Sequence, residues 1–202
     1  MRIGVIGGGR IGGTAAQLFA GAGHQVTIAN SRGPETLGAL PEGVQGATVE
    51  DAAAFGELLL VAIPFGRYDT LPAPPPGTIV LDAGNYYPDR DGNVAELDDD
   101  TITSSELLAA HLPDARVVKA FNTMFWEHLR DRGDPAGGDD RFVIPLAGDD
   151  QAARDRVSQL IEEIGFAPFE TGGLADGGRR QQVDTPLFGK FVTEAQAREL
   201  TA

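Results

Sequence analysis

The sequence predicts a doubly wound α/β fold, in which helices cover both faces of a mostly parallel sheet. Apolar runs of strand length alternate with helical patterns along the 202 residues, as in a series of crossover units. Most of these runs are continuously apolar, which is typical of strands buried on both faces. A glycine cluster follows the first run directly, and such a turn opens the first helix in this fold class.

The predicted elements follow in order along the chain. Residues 2–6 (RIGVI) predict the first strand, a helical apolar stripe predicts a helix over 11–20, and residues 25–29 (QVTIA) predict the second strand. Further strands are predicted at 47–49, 58–63, 78–82, 116–121, 141–147 and 166–170, and further helices at 34–39, 105–111, 150–164 and 193–200. Residues 132–140 (RGDPAGGDD) predict a mobile acidic loop.

Composition and charge exclude several classes of partner. With 16 Lys and Arg against 30 Asp and Glu, the formal charge of −14 disfavours nucleic acid and anionic membrane surfaces. The chain has no cysteine, so disulfides, thiolate nucleophiles and cysteine-ligated metals are excluded, and redox chemistry needs a bound organic cofactor. The longest apolar run, 58–63, is too short to span a bilayer, and the N-terminus resembles a strand rather than a leader. We therefore expect a cytoplasmic protein.

The sequence offers no obvious acid–base or metal machinery. His24, His111 and His128 are scattered, and their spacing is not that of metal ligands. The sequence contains neither a nucleophile elbow nor a phosphate-loop lysine motif. We therefore predict no metal site and no catalytic side chain.

The strongest motif is G-x-G-x-x-G, formed by Gly7, Gly9 and Gly12 between the first strand and the first helix. The first glycine fits the tight turn, the second lets a pyrophosphate approach the backbone, and the third lets the helix pack closely on the strand. The amides of Arg10 and Ile11 then point at the phosphates from the helix N-terminus. The motif predicts a dinucleotide site, and the alternative is a glycine-rich turn without a ligand.

The choice of dinucleotide depends on the residues after the second strand. An enzyme that uses NAD offers a carboxylate to the ribose there, whereas this chain has Asn30, Ser31 and Arg32. A serine hydroxyl and a guanidinium can both hold a 2′-phosphate, which a carboxylate would repel. The charge argument favours NADP over NAD, and the alternative is a plain surface loop.

Loops after the later strands should line the nicotinamide pocket, because ligands of parallel sheets bind at the carboxyl ends of the strands. These loops combine flat apolar surface with amides, which suits a neutral ring that carries a carboxamide. Ordinary turn chemistry explains Pro64 and Gly84 well but Asn85 and Asn122 less well. The predicted contacts are Ile63, Pro64, Phe65, Ala83, Asn85, Ala120 and Asn122.

Three further features have two interpretations each. Lys119 lies in a buried strand pattern, which is costly unless its ammonium reaches the cofactor or a carboxylate. Phe125 and Trp126 could stack on a ring system, but burial statistics favour a core position. The pair of arginines at 179–180 fits either an anionic substrate tail or a solvated basic surface.

Four segments, at residues 7–12, 30–34, 81–85 and 118–123, carry a resemblance to a known family. Together they resemble the NADP oxidoreductases that depend on the deazaflavin coenzyme F420, and they are similar to the cytoplasmic reductase domain of six-transmembrane ferric reductases. The resemblance implies a single Rossmann domain over 1–202, with a dinucleotide-binding core at 1–123. Residues 124–202 would form a small C-terminal portion that completes the sheet and the substrate site.

The expected function is therefore hydride transfer between NADPH and a flavin-like or deazaflavin acceptor, with F420 or a flavin as second substrate. The partner would be a small-molecule electron acceptor or donor, and a homodimer is compatible with the family. Two alternatives stay open: a non-catalytic NADP(H)-sensing module, and a reductase of small carbonyls or imines. The latter chemistry usually needs a positioned proton donor.

Overall fold

The computed structural model describes residues 1–138 and 140–201, and it confirms the α/β class. Helices lie on both faces of an eight-stranded sheet in the order β3-β2-β1-β4-β5-β6-β7-β8. The strands are β1 (Arg2–Ile6), β2 (Gln25–Ala29), β3 (Val44–Gly46), β4 (Leu58–Val61), β5 (Ile79–Asp82), β6 (Arg116–Ala120), β7 (Val143–Gly148) and β8 (Ala167–Gly172).

The helices are α1 (Arg10–Gly21), α2 (Val49–Phe55), α3 (Pro88–Asp91), α4 (Ala95–Asp98), α5 (Ser104–His111), α6 (Trp126–Asp131), α7 (Gln151–Glu163), α8 (Asp176–Arg179) and α9 (Glu194–Thr201). Two 3₁₀ turns lie at Pro34–Thr36 and Phe65–Thr70. Within the described residues, no helix combines the length and apolar character needed to cross a membrane.

The strand order creates a crevice at the carboxyl edge of the sheet. β1 pairs with β2 on one side and with β4 on the other, so the chain winds outward in both directions from β1. Ligands of open α/β sheets bind at such a switch point. The loops after β1, β2, β4, β5 and β6 therefore converge on one edge.

Alternation along β4 shows how the sheet buries both of its faces. Leu58 and Leu60 belong to the core cluster that α1 and α7 cover, while Leu59 and Val61 belong to the cluster under α2 and α5. All four side chains are at most 1% exposed. Each such burial contributes about 1.5–3 kcal/mol, so the sheet is a rigid platform for its edge loops.

Two predicted elements near the N-terminus are wrong. The predicted strand at 47–49 is replaced by β3 at Val44–Gly46, and α2 begins at Val49. Thr48 caps this helix by accepting a hydrogen bond from the Asp51 amide (3.1 Å), which outweighs the β-propensity of the segment. The predicted helix at 34–39 is only the 3₁₀ turn, because Gly38 adopts a left-handed φ of 70°.

The second half of the sheet also differs from expectation. β7 runs antiparallel to β6, with Lys119 opposite Ala147, whereas the other neighbours pair in parallel. α6 was not predicted, and Phe125 caps it with 59% of its surface exposed rather than buried in the core. Of the predicted acidic loop, Asp139 lies outside the described residues, as does Ala202 at the end of the predicted domain.

Candidate functional site

The turn between β1 and α1 is built by glycines that have different physical tasks. Gly7 has a φ of 119°, and a Cβ there would lie 2.3 Å from the Ala62 carbonyl oxygen. A Cβ on Gly12 would lie 1.9 Å from the Gly7 carbonyl oxygen. Both positions therefore exclude any side chain, because the strand and helix backbones meet there.

Gly9 differs from these two glycines, because a Cβ at this position would meet no protein atom within 4 Å. Its φ of −81° is also open to other residues. The first hydrogen bond of α1 runs from the Gly13 amide to the Gly9 carbonyl (2.8 Å), so the amides of the preceding turn have no partner within the helix. The space beside Gly9 and these free donors suit a phosphate group.

The loop after β2 is held in place by the side chain of Asn30. Its Oδ1 accepts a hydrogen bond from the Arg32 amide (2.8 Å), and its Nδ2 donates to Thr36 Oγ1 (2.9 Å). Ser31 and Arg32 are exposed, and no acceptor within residues 1–138 and 140–201 lies at hydrogen-bond distance from the Arg32 guanidinium. Asn30 therefore orders the loop, and the next two side chains stay available for a ligand.

A cavity of about 550 Å³ connects the glycine turn with this loop. Its wall includes Gly9 and Ser31, together with Ile63 and Pro64 from the loop after β4. Arg67 adds a guanidinium to this wall. The cavity thus offers free amides, a hydroxyl and a cationic group around an apolar centre, which is the donor set that a phosphorylated nucleoside requires.

The loops after β5 and β6 are tied together by their two asparagines. Asn85 Nδ2 donates to the Asn122 carbonyl (2.9 Å), and Asn122 Nδ2 donates to Asn85 Oδ1 (3.0 Å) and to the Gln181 carbonyl (2.7 Å). These amides therefore fix the relative position of the two loops.

A buried ion pair lies directly beneath these loops. Lys119 Nζ is 3.5 Å from Asp82 Oδ2, and their side chains are 1% and 0% exposed. The ammonium also donates to the Gly84 carbonyl and to Ser105 Oγ, each at 3.2 Å. The carboxylate accepts from the Gly84 amide (2.9 Å), from Ser105 Oγ (2.6 Å) and from the Tyr68 hydroxyl. The buried lysine thus reaches a carboxylate, which is one of its two possible partners.

Tyr68 completes this network from the 3₁₀ turn after β4. Burial, and next the neighbouring Asp82 carboxylate, raises the pKa of its phenol well above the ordinary value of 10.0. The phenol is therefore neutral and acts as a permanent donor to the carboxylate. The aromatic ring packs edge-on against Phe65, with centroids 5.2 Å apart.

A second cavity, of about 390 Å³, lies beside the Asn85 loop. Tyr86 and Tyr87 supply aromatic surface, and Lys119 and Ser104 contribute polar groups to its wall. The carboxylates of Asp98, Asp100 and Asp184 also line it, so the cavity combines flat aromatic surface with mainly acidic polar groups.

The structure brings most of the predicted site residues to one edge, though not all to a cavity. Gly7, Gly9, Asn30, Ser31, Ile63 and Pro64 line the first cavity, and Asn85 lines the second. Ile11 lies in the first turn of α1, and Ala83 follows β5 directly. Arg10 lies in the same turn as Ile11 and stacks on the Trp126 ring at 5.3 Å. The side chain of Ala120 is completely buried in the core, so it is not available to a ligand.

Sequence reasoning missed Arg67, Thr70 and Leu71, which line the first cavity. They lie in or next to the 3₁₀ turn after β4. A basic residue three positions after Pro64, in an acidic chain, was the available signal. No local signal identified Asp82 as the partner of Lys119, because β5 and β6 pair through register rather than through local sequence.

No group of three or more His, Cys, Asp or Glu in the described part of the chain is arranged to hold a metal ion.

Comparison with known proteins agrees with this geometry. Residues 2–86, which contain β1 to β5, match the family described as NADP oxidoreductase coenzyme F420-dependent. Over 190 residues the chain is 27% identical to the metalloreductase STEAP3 of Rattus norvegicus. The match covers 93% of this chain but only 37% of the rat protein.

Two solved structures extend the match along almost the whole chain. A hypothetical protein from Sinorhizobium meliloti, SMa0349, is 30% identical with a TM-score of 0.81, over 96% of this chain and 95% of its own. A protein from Arthrobacter sp. FB24, provisionally described as an F420-dependent NADP reductase, is 27% identical with a TM-score of 0.71, over 96% and 100% of the chains. Residues 2–86, the dinucleotide-binding part of the chain, belong to the family of coenzyme F420-dependent NADP oxidoreductases.

Proposed function

We propose that this protein transfers a hydride between NADPH and a flavin-like or deazaflavin acceptor. The observation that carries the proposal is the first cavity, which joins the open face of Gly9 to Ser31 and to the cationic group of Arg67, and Arg32 follows Ser31 directly in the chain. When bound, NADPH supplies the hydride from its nicotinamide ring. The protein's part is to hold the phosphates, to orient the ring and to exclude water.

The residues divide these tasks by position. The free amides at the start of α1 would bind the pyrophosphate, and Ser31 with Arg32 would bind the 2′-phosphate. The loops after β4, β5 and β6 would orient the nicotinamide, and the hydrogen bonds between Asn85 and Asn122 tie the β5 and β6 loops to each other. Hydride transfer between stacked rings needs positioning rather than a protein acid or base.

The second cavity is our proposed position for the acceptor. Tyr86 and Tyr87 offer aromatic surface, and Gln182 offers a side-chain amide to a carbonyl edge. Coenzyme F420 and flavins are acceptors that combine a flat ring with such an edge. Ferric chelates are included among the candidates because the rat relative is named a metalloreductase.

A second candidate function is the reduction of small carbonyls or imines. The favouring observation is the Lys119 ammonium directly behind the wall of the second cavity, since this chemistry needs a proton donor. In this structure the ammonium is bonded to Gly84 and Ser105 and has no exposed surface. An NADPH-sensing module is the alternative without turnover.

An acceptor screen tests these assignments. Purified protein and NADPH are incubated with F420, FMN, FAD, quinones, ferric chelates, and a panel of carbonyls and imines. We expect oxidation of NADPH with F420 or a flavin. Turnover with carbonyls alone would favour the second candidate, and stoichiometric binding without turnover would favour the sensor.

A further inference from the structure

The chain contains only two lysines, and the fold buries one of them completely. Lys190 is exposed, whereas Lys119 lies at the end of β6 with no solvent-accessible surface. Its partner Asp82 is equally buried at the end of β5, and the two residues are directly opposite in the sheet register. A buried ion pair is weak evidence for stability, because desolvation offsets much of the attraction and an apolar pair often serves as well. A charged pair buried at the edge where the cofactor is proposed to bind therefore needs another explanation.

The network holds one peptide unit from both ends. The Gly84 amide donates to Asp82 Oδ1 (2.9 Å), and the Gly84 carbonyl accepts from Lys119 Nζ (3.2 Å). Ser105 on α5 connects the two charged groups, since its Oγ donates to Asp82 Oδ2 (2.6 Å) and accepts from Lys119 (3.2 Å). Three elements, β5, β6 and α5, are therefore tied together at this glycine.

Gly84 also shows that the fit is tight. A Cβ added there would lie 1.9 Å from the Tyr68 hydroxyl oxygen, so the backbone lies directly against the phenol that donates to Asp82. The next residue is Asn85, whose amide pairs with Asn122. Any shift of the Gly84 peptide is therefore transmitted to both loops that would orient the nicotinamide.

We propose that Lys119 and Asp82 are positioning residues that fix the Gly84–Asn85 loop for the nicotinamide half of NADPH. This inference rests on the proposed function and adds that different residues hold the two halves of the cofactor. The adenosine half depends on Gly9 and Ser31, neither of which contacts the ion pair. Loss of the pair should therefore affect one half of the cofactor and spare the other.

Lys119→Met is the direct test, with Lys190→Met as the matched control at the exposed lysine. Three quantities are measured: the dissociation constant of 2′,5′-ADP, which reports the adenosine half; the fluorescence gain of bound NADPH, which reports immobilisation of the nicotinamide; and the single-turnover rate of NADPH oxidation. For Lys119→Met we expect unchanged 2′,5′-ADP affinity, loss of the fluorescence gain, and a rate about a hundred-fold lower, the effect of a misplacement of roughly 1 Å. The control should match the parent in all three.

Three results would overturn the proposal. Retention of the fluorescence gain in folded Lys119→Met would show that the pair does not position the ring. Parallel loss of 2′,5′-ADP binding would show a general structural role. Disappearance in the variant of an alkaline limb in the parent's pH–rate profile would make Lys119 a proton donor instead. Should Lys119→Met fail to fold, Ser105→Ala removes the connecting hydroxyl and should produce smaller changes of the same kind. If no acceptor oxidises NADPH in the parent, the proposed hydride transfer fails, while the two binding measurements still decide the positioning role.

Discussion

Removal of the Arg32 guanidinium should leave the protein with almost no preference for NADPH over NADH. The loop itself should survive Arg32→Ala, because Asn30 holds it through the backbone amide of residue 32 (2.8 Å) rather than through the arginine side chain. The variant therefore removes one cation and its hydrogen bonds and leaves the remaining contacts in place. This makes the measured difference a direct estimate of the contact with the 2′-phosphate.

The magnitude follows from the exposure of this side chain. A hydrogen bond to a charged group contributes about 1.5–3 kcal/mol, and each 1.4 kcal/mol corresponds to about tenfold in affinity. Because Arg32 is exposed, solvent screening places the effect near the lower end, at about tenfold. Added salt should reduce it further.

The assay is a titration of parent and Arg32→Ala with 2′,5′-ADP and with 5′-AMP, which differ only by the 2′-phosphate. The variant should lose about tenfold for the first ligand and almost nothing for the second. Arg198→Ala, which removes another exposed cation, on α9 and paired with Glu194, serves as the control for net charge. Equal weakening of both ligands by Arg32→Ala would refute the assignment.

Three other predictions address the turn, the chemistry and the response to pH. Gly9→Val should fold but lose NADPH binding. Gly12→Ala should lower the melting temperature, because its Cβ would lie 1.9 Å from a carbonyl oxygen. The opposite pattern would refute the assignment of Gly9 to binding and of Gly12 to packing. Replacing His24, His111 or His128 singly with Gln should leave the single-turnover rate of hydride transfer within a few-fold of the parent rate. An acid–base catalyst contributes about 10²–10⁴-fold in rate, so a loss of that size would disprove the positioning mechanism. Burial, and next the N-terminal ammonium, lowers the pKa of His24 despite Glu163. In the unfolded chain His24 therefore binds a proton more readily than in the folded protein, so the free energy of unfolding should fall as the pH drops below about 6.5. His24→Gln should flatten this pH dependence in thermal melts, and an unchanged slope would contradict the prediction.

The phosphate turn was predictable because its chemistry is local. Gly7 and Gly12 lie where no Cβ fits, and Gly9 faces open space, so the spacing itself carries the geometry. The strands from β1 to β6 were found for a similar reason, apart from β3, since continuous apolar runs predict burial on both faces. Helix α2 was missed although Thr48 and Asp51 form a capping pattern, because its alanines show no clear periodicity.

The features that were not predictable depend on contacts distant in sequence. Periodicity identifies a strand but carries no information about its direction, so the antiparallel pairing of β7 could not be read from the chain. Asn85 and Asn122 are separated by 37 positions, and only the sheet register shows that their amides bind each other. The partner of Lys119 follows from the same register, because β5 and β6 place Asp82 directly opposite.

The most direct test of the central claim is a single-turnover experiment with NADPH that carries deuterium at the transferred position. The protein is mixed with this cofactor and with F420 or FMN, and oxidation of NADPH and reduction of the acceptor are followed together by stopped flow. We predict that one acceptor is reduced for each NADPH oxidised, with a primary isotope effect on both signals. Tight binding of NADPH without oxidation by either acceptor would contradict hydride transfer to a flavin-like ring.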